Sequence, residues 1–356
     1  MNLTKHYFPG GNTSMGFVNY FDGIIAPWVT NKRIYVLKGG PGVGKNTFMN
    51  LFSKTAKEKG YAVEHFHCAS DAKSLDAVHI PSLGVTMLDG TAPHVIDPVT
   101  PGAIDNILNL GVYLDEKGLE KKCSEIEKLM QENSRGYKRT FAYLAAAGKL
   151  QENSNYFYQC ALDREELRAE VQEIFGTHDL KKGKLKGKIR NLFAEAITPQ
   201  GFTDYFDTVV EEEKIIALHG PLGVASEFIK MAIQFASFMG YGMEVFYSSL
   251  LPKDPVHVII KDLGLCITTN LSFNKQVEKV IDLNYLLDPI ILEKYSSTFS
   301  FNELYRKQLV EVAIESLMQT KDIHDDIEAI YKGYMDFDKV TEYTGAFMEK
   351  FFGELE

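Results

Sequence analysis

The sequence predicts an α/β fold made of two related halves, each with its own strands and helices. Short runs of β-branched and aromatic residues alternate with stretches of helical periodicity, as buried strands and covering helices do in α/β proteins. The chain also resembles itself at a fixed offset of 180 residues. Its 356 residues are long enough to form two hydrophobic cores.

The internal repeat keeps its spacing through glycine, aromatic and apolar positions. Identical pairs at this offset include Gly40-Pro41 with Gly220-Pro221, Gly60-Tyr61 with Gly240-Tyr241, and Leu83-Gly84 with Leu263-Gly264. Upstream, residues 16–22 resemble residues 201–207 at an offset of 185. Chance does not readily explain several matches that share one offset, so we expect two homologous α/β halves.

The predicted elements follow this repeat. In the first copy we expect strands at 33–38, 62–67, 78–80 and 85–88, with a helix at about 45–59. In the second copy we expect strands at 214–219, 242–247, 256–260 and 264–268, with a helix at 226–239. Residues 114–150 and 155–176 have helical periodicity, as does the C-terminal stretch from about 274, with tracts at 302–318 and 322–334. The predicted domains are therefore an N-terminal half at 1–113, a helical insertion at 114–195, and a second half with C-terminal helices at 196–356.

A glycine-rich loop joins the first predicted strand to the first predicted helix. Residues 39–47 read GGPGVGKNT. Glycines allow backbone N–H groups to surround an anion, and the N-terminus of the following helix adds partial positive charge. This pattern predicts a P-loop that binds a nucleoside triphosphate, ATP, with Lys45 reaching the outer phosphates. The residues expected to hold the nucleotide are Gly40, Pro41, Gly42, Val43, Gly44, Lys45, Asn46 and Thr47.

Magnesium is the second expected ligand, and its site departs from the usual pattern. A P-loop has Ser or Thr directly after the lysine, whereas this chain has Asn46 there and a hydroxyl one step later at Thr47. We expect Asn46 and Asp89 to be the protein ligands of Mg²⁺. Because the Asn46 carboxamide would displace the ion or leave it unligated, we expect weak dependence on magnesium and slow or absent turnover.

An acidic residue ends the apolar strand at 85–88. Asp89 in this position has the form of a Walker B residue, which holds magnesium through a water. At the offset of 180 its counterpart is Thr269, and the counterpart of Lys45 is Ala225. The second copy thus lacks both charges, so we expect it to be degenerate and the chain to bind one nucleotide.

Several other residues could take part in chemistry. Asp71 or Asp76 could act as a base or position a water, and Asp71 is placed in the predicted catalytic set with Lys45 and Asp89. His94 could carry a proton or bind phosphate, although a single loop histidine is more often structural. His65 and His67 share one strand face, but a metal site needs further ligands that spacing cannot identify.

For two polar patterns we favour a solvent-exposed surface over a functional role. The basic run from Lys181 to Arg190 could form a lid over a polyphosphate, an RNA contact or a solvated face, and the solvated face is favoured. His324 and Glu328, four residues apart on a predicted helix, are expected to form an exposed polar face.

Composition argues against several classes of protein. A net charge of −10 makes nucleic-acid binding unlikely, because such binding depends on Lys and Arg neutralising phosphates. The sequence has no uninterrupted apolar run of membrane-spanning length, and its first residues lack a signal-peptide pattern. The four cysteines show no metal-binding or disulfide spacing. We therefore expect a cytoplasmic protein with no membrane partner.

Four segments together resemble an uncharacterised bacterial family of tandem P-loop ATPase-like proteins. They are the GGPGVGKNT loop, HFHCASDAKSLD at 65–76, LDGTAPHVIDP at 88–98, and AITP at 196–199. The resemblance covers nearly the whole chain and implies a P-loop NTPase fold and ATP binding. This sequence departs from the family pattern at Asn46 and in the second loop, and both departures bear on hydrolysis more than on binding.

The sequence is compatible with three functions. The first is a slow ATPase or nucleotide-dependent switch with one site. The second is a small-molecule or nucleoside monophosphate kinase, whose phosphate transfer needs converging arginines. The third is a nucleotide-gated adaptor whose degenerate half binds a protein partner. Most of the arginines lie in or beside the predicted insertion, namely Arg135, Arg139, Arg164, Arg168 and Arg190.

Overall fold

The computed structural model describes residues 4–91, 95–176, 182–272 and 275–355. Within these ranges the strands are β1 (Thr4–Tyr7), β2 (Gly10–Thr13), β3 (Gly16–Asn19), β4 (Arg33–Lys38), β5 (Val63–Cys68), β6 (Asp71–Ile80), β7 (Val85–Asp89), β8 (Asp105–Asn109), β9 (Ile189–Leu192), β10 (Glu195–Thr198), β11 (Gly201–Asp204), β12 (Lys214–His219), β13 (Met243–Tyr247), β14 (Pro255–Ile260), β15 (Leu265–Thr268) and β16 (Lys279–Asp282). The α-helices are α1 (Lys45–Glu58), α2 (Glu116–Glu120), α3 (Cys123–Ala161), α4 (Arg164–Gly176), α5 (Phe206–Val209), α6 (Leu222–Phe238), α7 (Pro289–Lys294), α8 (Ser296–Lys332) and α9 (Phe337–Gly353).

The chain forms two compact units. Unit 1 contains residues 1–6, 29–139 and 315–356, and unit 2 contains residues 7–28 and 140–314. These limits do not coincide with the boundaries predicted at 113 and 195. The long helices α3 and α8 contribute residues to both units, and the C-terminal helix α9 belongs to unit 1 rather than to the second half.

Each unit contains one six-stranded mixed sheet, and the two sheets have the same strand order. The order is β1-β5-β6-β7-β4-β8 in unit 1 and β9-β13-β14-β15-β12-β16 in unit 2. In both, the strand before the repeated Gly-Pro pair lies next to an edge strand and is parallel to both of its neighbours. A β-hairpin lies beyond one of these neighbours, so one strand of each sheet runs antiparallel to those beside it. The α/β class is confirmed, and the predicted repeat corresponds to two sheets of the same order.

The hydrophobic core of unit 1 lies between its sheet and two amphipathic helices. Helix α1 directs Phe48, Phe52 and Ala56 toward the sheet at a spacing of four residues, and α9 adds Val340 and further apolar side chains at the same spacing. This period matches one face of an α-helix. Asp336 caps the N-terminus of α9, where its side chain accepts a hydrogen bond from the backbone N–H of Lys339.

Unit 2 is built in the same way and also contains two short hairpins. Its core joins α4 and α6 to the sheet β9 to β16. The hairpins β2-β3 and β10-β11 are related by the offset of 185, and Thr13 and Thr198 make the same bond, from Oγ1 to the carbonyl of the glycine that begins the next strand, at 2.8 Å. Phe8 and Phe193, at equivalent positions, exchange both backbone hydrogen bonds, at 2.9 and 3.1 Å.

Some predicted elements were wrong in extent or were missed. β6 begins at Asp71, well before the predicted start at 78, and the strands β1 to β3, β8 to β11 and β16 had no predicted counterpart. The stretch from 274 is therefore not wholly helical, and the two tracts predicted after residue 302 are one continuous helix, α8. Edge strands such as β8 and β16 are only four or five residues long and half-exposed, so their apolar pattern is weak.

The end of the basic run is structural rather than a solvated face or a lid. Arg190 lies on β9 with a side chain only 1% exposed, and its Nη1 is 2.8 Å from Oε1 of Glu244. Its Nε and Nη2 donate to the carbonyls of Gly23 and Ile24 at 2.7 and 3.0 Å, and the guanidinium lies over the ring of Tyr7. Lys181 lies outside the described residues.

We predict that Arg190→Ala destabilises unit 2 by about 3 kcal/mol, because the carbonyls of Gly23 and Ile24 lose its hydrogen bonds and the buried Glu244 carboxylate keeps only Lys261, at 3.0 Å, as its cation. Arg164→Ala is the matched control. That arginine belongs to the same unit and pairs with Glu227 at 3.4 Å, but its side chain is half-exposed, so its loss should cost no more than about 1 kcal/mol. Urea unfolding measures both effects, and equal losses of stability would contradict this interpretation.

Candidate functional site

The glycine loop lies at the carboxyl end of β4 in unit 1. β4 ends at Lys38 and α1 begins at Lys45, so residues 39–44 form the connection. Gly39, Gly42 and Gly44 have φ values of 141°, 71° and 98°. L-residues with a side chain rarely adopt such angles, and Gly44 is the N-cap of α1. The three glycines therefore make possible the turn that connects β4 to α1.

Lys45 folds back into this loop. Its Nζ donates to the carbonyls of Gly39 and Gly40 at 2.9 and 2.8 Å and lies 3.6 Å from Oδ2 of Asp89. The Lys45 side chain is only 10% exposed. The predicted cation and the predicted acid are therefore in contact, at a helix N-terminus suited to an anion.

Asp89 reaches the loop because β7 lies beside β4. Leu37 pairs with Asp89 in the parallel register, so the acid stands at the strand end next to the start of the loop. Its Oδ1 accepts hydrogen bonds from the backbone N–H and the hydroxyl of Thr91, which leaves Oδ2 directed toward Lys45. The contact between β4 and β7 explains how residues far apart in sequence meet here.

Asp76 is a buried acid in the same region. It lies on β6, which is paired with β7, and is 6% exposed. Burial, the nearby Asp89 charge and a hydrogen bond with Cys68 set its pKa, with burial and Asp89 raising the value to about 7. A carboxyl group with a pKa near neutrality beside a charged loop is suited to accept a proton.

The other predicted residues are placed differently. Asp71 accepts from Oγ of Ser74 at 2.9 Å and lies 3.9 Å from Nζ of Lys321 on α8, so its described contacts are outside the loop. Oδ1 of Asn46 accepts from the backbone N–H of Leu75 at 3.1 Å and from the Asn50 amide at 2.8 Å. Asn46 therefore links α1 to β6, and Thr47 is exposed. His94 lies outside the described residues.

The C-terminal part of α8 packs against the glycine loop. A β-carbon at Gly40 would lie 2.9 Å from Cε1 of Tyr331, and one at Gly42 would lie 3.0 Å from the carbonyl oxygen of Glu328. Lys332 pairs with Glu328 at 2.7 Å. Hydrogen bonds from His324 and Lys332 lower the pKa of Glu328 to about 2. The predicted polar pair His324 and Glu328 thus belongs to a helix whose backbone contacts the loop, which its spacing alone could not indicate.

The second copy has no comparable loop. β12 ends at His219, only Gly220 and Pro221 follow, and α6 begins at Leu222. At the offset of 180, Leu222 and Val224 take the places of Gly42 and Gly44, and both are helical. Because these side chains disfavour a left-handed backbone, the chain turns into helix early, and Ala225 is buried in it. The counterparts of Asp76 and Asp89 are Val256 and Thr269, so the second copy lacks all three charges.

A cluster of three histidines was missed by the sequence interpretation. His65 and His67 were recognised as sharing a face of β5, and the structure adds His6 from the neighbouring strand β1. The second sheet has the same arrangement, because β9, the counterpart of β1 at the offset of 185, pairs with β13, the counterpart of β5. The chemistry of this cluster is separate from that of the glycine loop.

No protein-family model, curated protein or solved structure matches this chain. In the part of the chain that the structure describes, none of the helices has the length and apolar character needed to cross a bilayer.

We predict that Asp76→Asn changes the pH dependence of stability. Between pH 4 and pH 7 the native state holds a proton on Asp76 that the unfolded state has lost, so the free energy of unfolding of the natural protein falls as pH rises through this range. The asparagine variant lacks this decline. Its stability relative to the natural protein should rise by up to about 1.4 kcal/mol per pH unit. Urea unfolding at pH 5, 6, 7 and 8, without nucleotide or metal, measures the difference, and parallel profiles would show that Asp76 is ionised throughout.

Proposed function

We propose that this protein binds ATP in its first copy and acts as a slow ATPase or a nucleotide-dependent switch. The observation that carries the proposal is the position of Lys45, whose ammonium group lies inside a glycine loop at the N-terminus of α1, 3.6 Å from Asp89. The resemblance to tandem P-loop ATPase-like proteins agrees with this reading. The second copy has neither the loop nor the charges, so the proposed stoichiometry is one nucleotide per chain.

Each charged group has a defined role in the proposal. The ammonium group of Lys45 exchanges the carbonyls of Gly39 and Gly40 for oxygens of the outer phosphates, while the loop N–H groups bind the same phosphates. Asp89 would be the residue that holds Mg²⁺, which would offset the negative charge of the phosphates. Asp76, rather than the predicted Asp71, is the proton acceptor for an attacking water, because its raised pKa suits that role.

The contact with α8 supports a switch. Because Tyr331 and the backbone of Glu328 leave no room for side chains at Gly40 and Gly42, any rearrangement of the loop on phosphate binding must be accommodated by this end of the helix. The order and position of α8 would then depend on whether a nucleotide is bound in the loop. A protein partner that recognises α8 would respond to the nucleotide, which keeps the adaptor hypothesis compatible with the same site.

The kinase alternative gains no support from the arginines. Arg139 donates from Nε to Ser316 at 3.0 Å and from Nη2 to Gln319 at 2.6 Å, both on α8. Arg190 is buried in unit 2 with Glu244. Transfer to an acceptor requires arginines that converge on the moving phosphate. Assays for released phosphate and for phosphate on an added nucleoside monophosphate distinguish the two activities.

We predict that ATP or ADP stabilises the protein through Lys45. At about 100 times its dissociation constant, a nucleotide adds about 2.7 kcal/mol to native stability, which corresponds to roughly 5–10 °C in the melting temperature. Lys45→Ala should abolish this shift because it removes the cation that binds the outer phosphates. Calorimetric titration of the natural protein should give one nucleotide per chain.

Lys54→Ala is the control for that experiment, because Lys54 is also on α1 but is exposed and lies nine residues further along the helix than Lys45. It should bind nucleotide as the natural protein does. The proposal fails if neither ATP nor ADP shifts the melting temperature of the natural protein, and a stoichiometry of two would show that the second copy also binds.

We further predict that nucleotide affinity depends only weakly on magnesium, because Oδ1 of Asn46 is engaged with the Leu75 backbone. Asn46→Ser places a hydroxyl after the lysine, as in the usual P-loop pattern, and should strengthen binding of the Mg²⁺ complex and speed hydrolysis. Titrations of ATP with Mg²⁺ and with EDTA measure the effect. If the serine variant gains nothing while Thr47→Ala removes the response to Mg²⁺, the hydroxyl of Thr47 is the ligand instead.

A further inference from the structure

Three imidazole rings converge in unit 1 on the strands β1 and β5. One ring nitrogen from each of His6, His65 and His67 lies within 4.8 Å of the other two. His65 and His67 are buried, and His6 is half-buried. Nδ1 of His6 and Nε2 of His67 are 2.8 Å apart. Three potential donors of one chemical type are thus directed at a common volume.

The hydrogen bonds around the rings fix the tautomer of His67 and hold His65 in place. Nδ1 of His67 is 2.7 Å from the carbonyl of Ala72, which can only accept, so this nitrogen carries the proton. Nε2 of His67 therefore has a lone pair, directed toward His6. Ser53 on α1 lies 2.6 Å from Nε2 of His65 and fixes that ring. Outer partners of this kind orient histidines that bind metal ions.

The dimensions suit a tetrahedral ion. Two nitrogens at 2.0–2.1 Å from zinc lie about 3.3 Å apart, and the nitrogens of the cluster lie between 2.8 and 4.8 Å from one another. We propose that His6, His65 and His67 form a binding site for a divalent transition-metal ion of the zinc type, completed by a water molecule. Binding replaces the hydrogen bond between His6 and His67, and the proton on Nδ1 of His6 moves to its other ring nitrogen, so the neutral ring keeps a ligand lone pair.

Burial supports this assignment. It lowers the pKa of all three rings, to about 3 for His65 and about 4 for His67. The rings are therefore neutral at physiological pH, as metal ligands must be. Lys57, also on α1, is the nearby cation that opposes both ring protonation and metal binding.

The second copy provides an internal contrast. The counterparts of His6, His65 and His67 are Asn191, Val245 and Tyr247. There the hydroxyl of Tyr247 donates to Oδ1 of Asn191 at 3.1 Å, and Val245 offers no donor. In the second copy the same positions of the sheet are therefore occupied by a hydrogen-bonded Tyr and Asn, which do not form a set of metal ligands. The fold does not require histidines at these positions.

The test is a titration of tag-free, metal-depleted protein with Zn²⁺, repeated with Co²⁺ to record its visible absorption. The natural protein should bind one zinc ion per chain, and Co²⁺ should give the spectrum of a tetrahedral site. His65→Asn and His67→Asn should each weaken Zn²⁺ binding at least 100-fold, and Lys57→Ala should strengthen it several-fold. His219→Asn, which alters an exposed histidine of unit 2, is the matched control and should leave affinity unchanged.

Three results would overturn the proposal. They are no uptake of Zn²⁺ by the natural protein, unchanged affinity in His67→Asn, or an equal loss in His219→Asn. His6→Asn provides a ligand variant at a half-buried position if the β5 variants do not fold, as judged by circular dichroism. The His6→Asn variant must also lose the Co²⁺ spectrum. The titration of the natural protein needs neither ATP nor Lys45, so failure here leaves the nucleotide proposal unaffected.

Discussion

The left-handed backbone at Gly42 and Gly44 is the constraint on which the candidate site depends. With these angles available, the chain after β4 delays the start of α1 until Lys45, and the helix N-terminus opens onto a loop. In the other copy, Leu222 and Val224 cannot take such angles at low cost, so α6 begins directly after Gly220 and Pro221. The residues at these two positions thus accompany the difference between a six-residue connection in the first copy and a two-residue connection in the second.

The two copies contain different sets of ionisable groups. In unit 1 the sheet holds Lys45, Asp76 and Asp89 at one edge and three histidines on β1 and β5. Unit 2 replaces these with neutral residues and instead buries Arg190 against Glu244. Buried ionisable groups lower stability unless they are compensated. A scaffold repeated within one chain can therefore carry different sets of such groups in its two copies.

The sequence predicted the parts that local chemistry controls. The strands at β4 and β12, the glycine loop, the pairing of Lys45 with Asp89 and the loss of both charges in the second copy all followed from residue type and spacing. The parts it missed depend on long-range pairing. His6 joins His65 only because β1 pairs beside β5, and α8 reaches Gly40 from nearly three hundred residues away in sequence. The contact of Asn46 with Leu75 likewise crosses from α1 to β6, which no local pattern encodes.

The exchange of hydrogen bonds between Phe8 and Phe193 has an evolutionary consequence. These residues occupy matching positions of the repeat, and each donates its N–H to the other's carbonyl, as the same residue does with its twin across a two-fold axis. A shorter chain with only one copy could make this bridge only with a second molecule. The tandem chain therefore supplies internally what a homodimer supplies between subunits. Two copies in one chain can carry different substitutions, whereas the subunits of a homodimer have the same sequence. One copy can therefore lose its charges while the other keeps them.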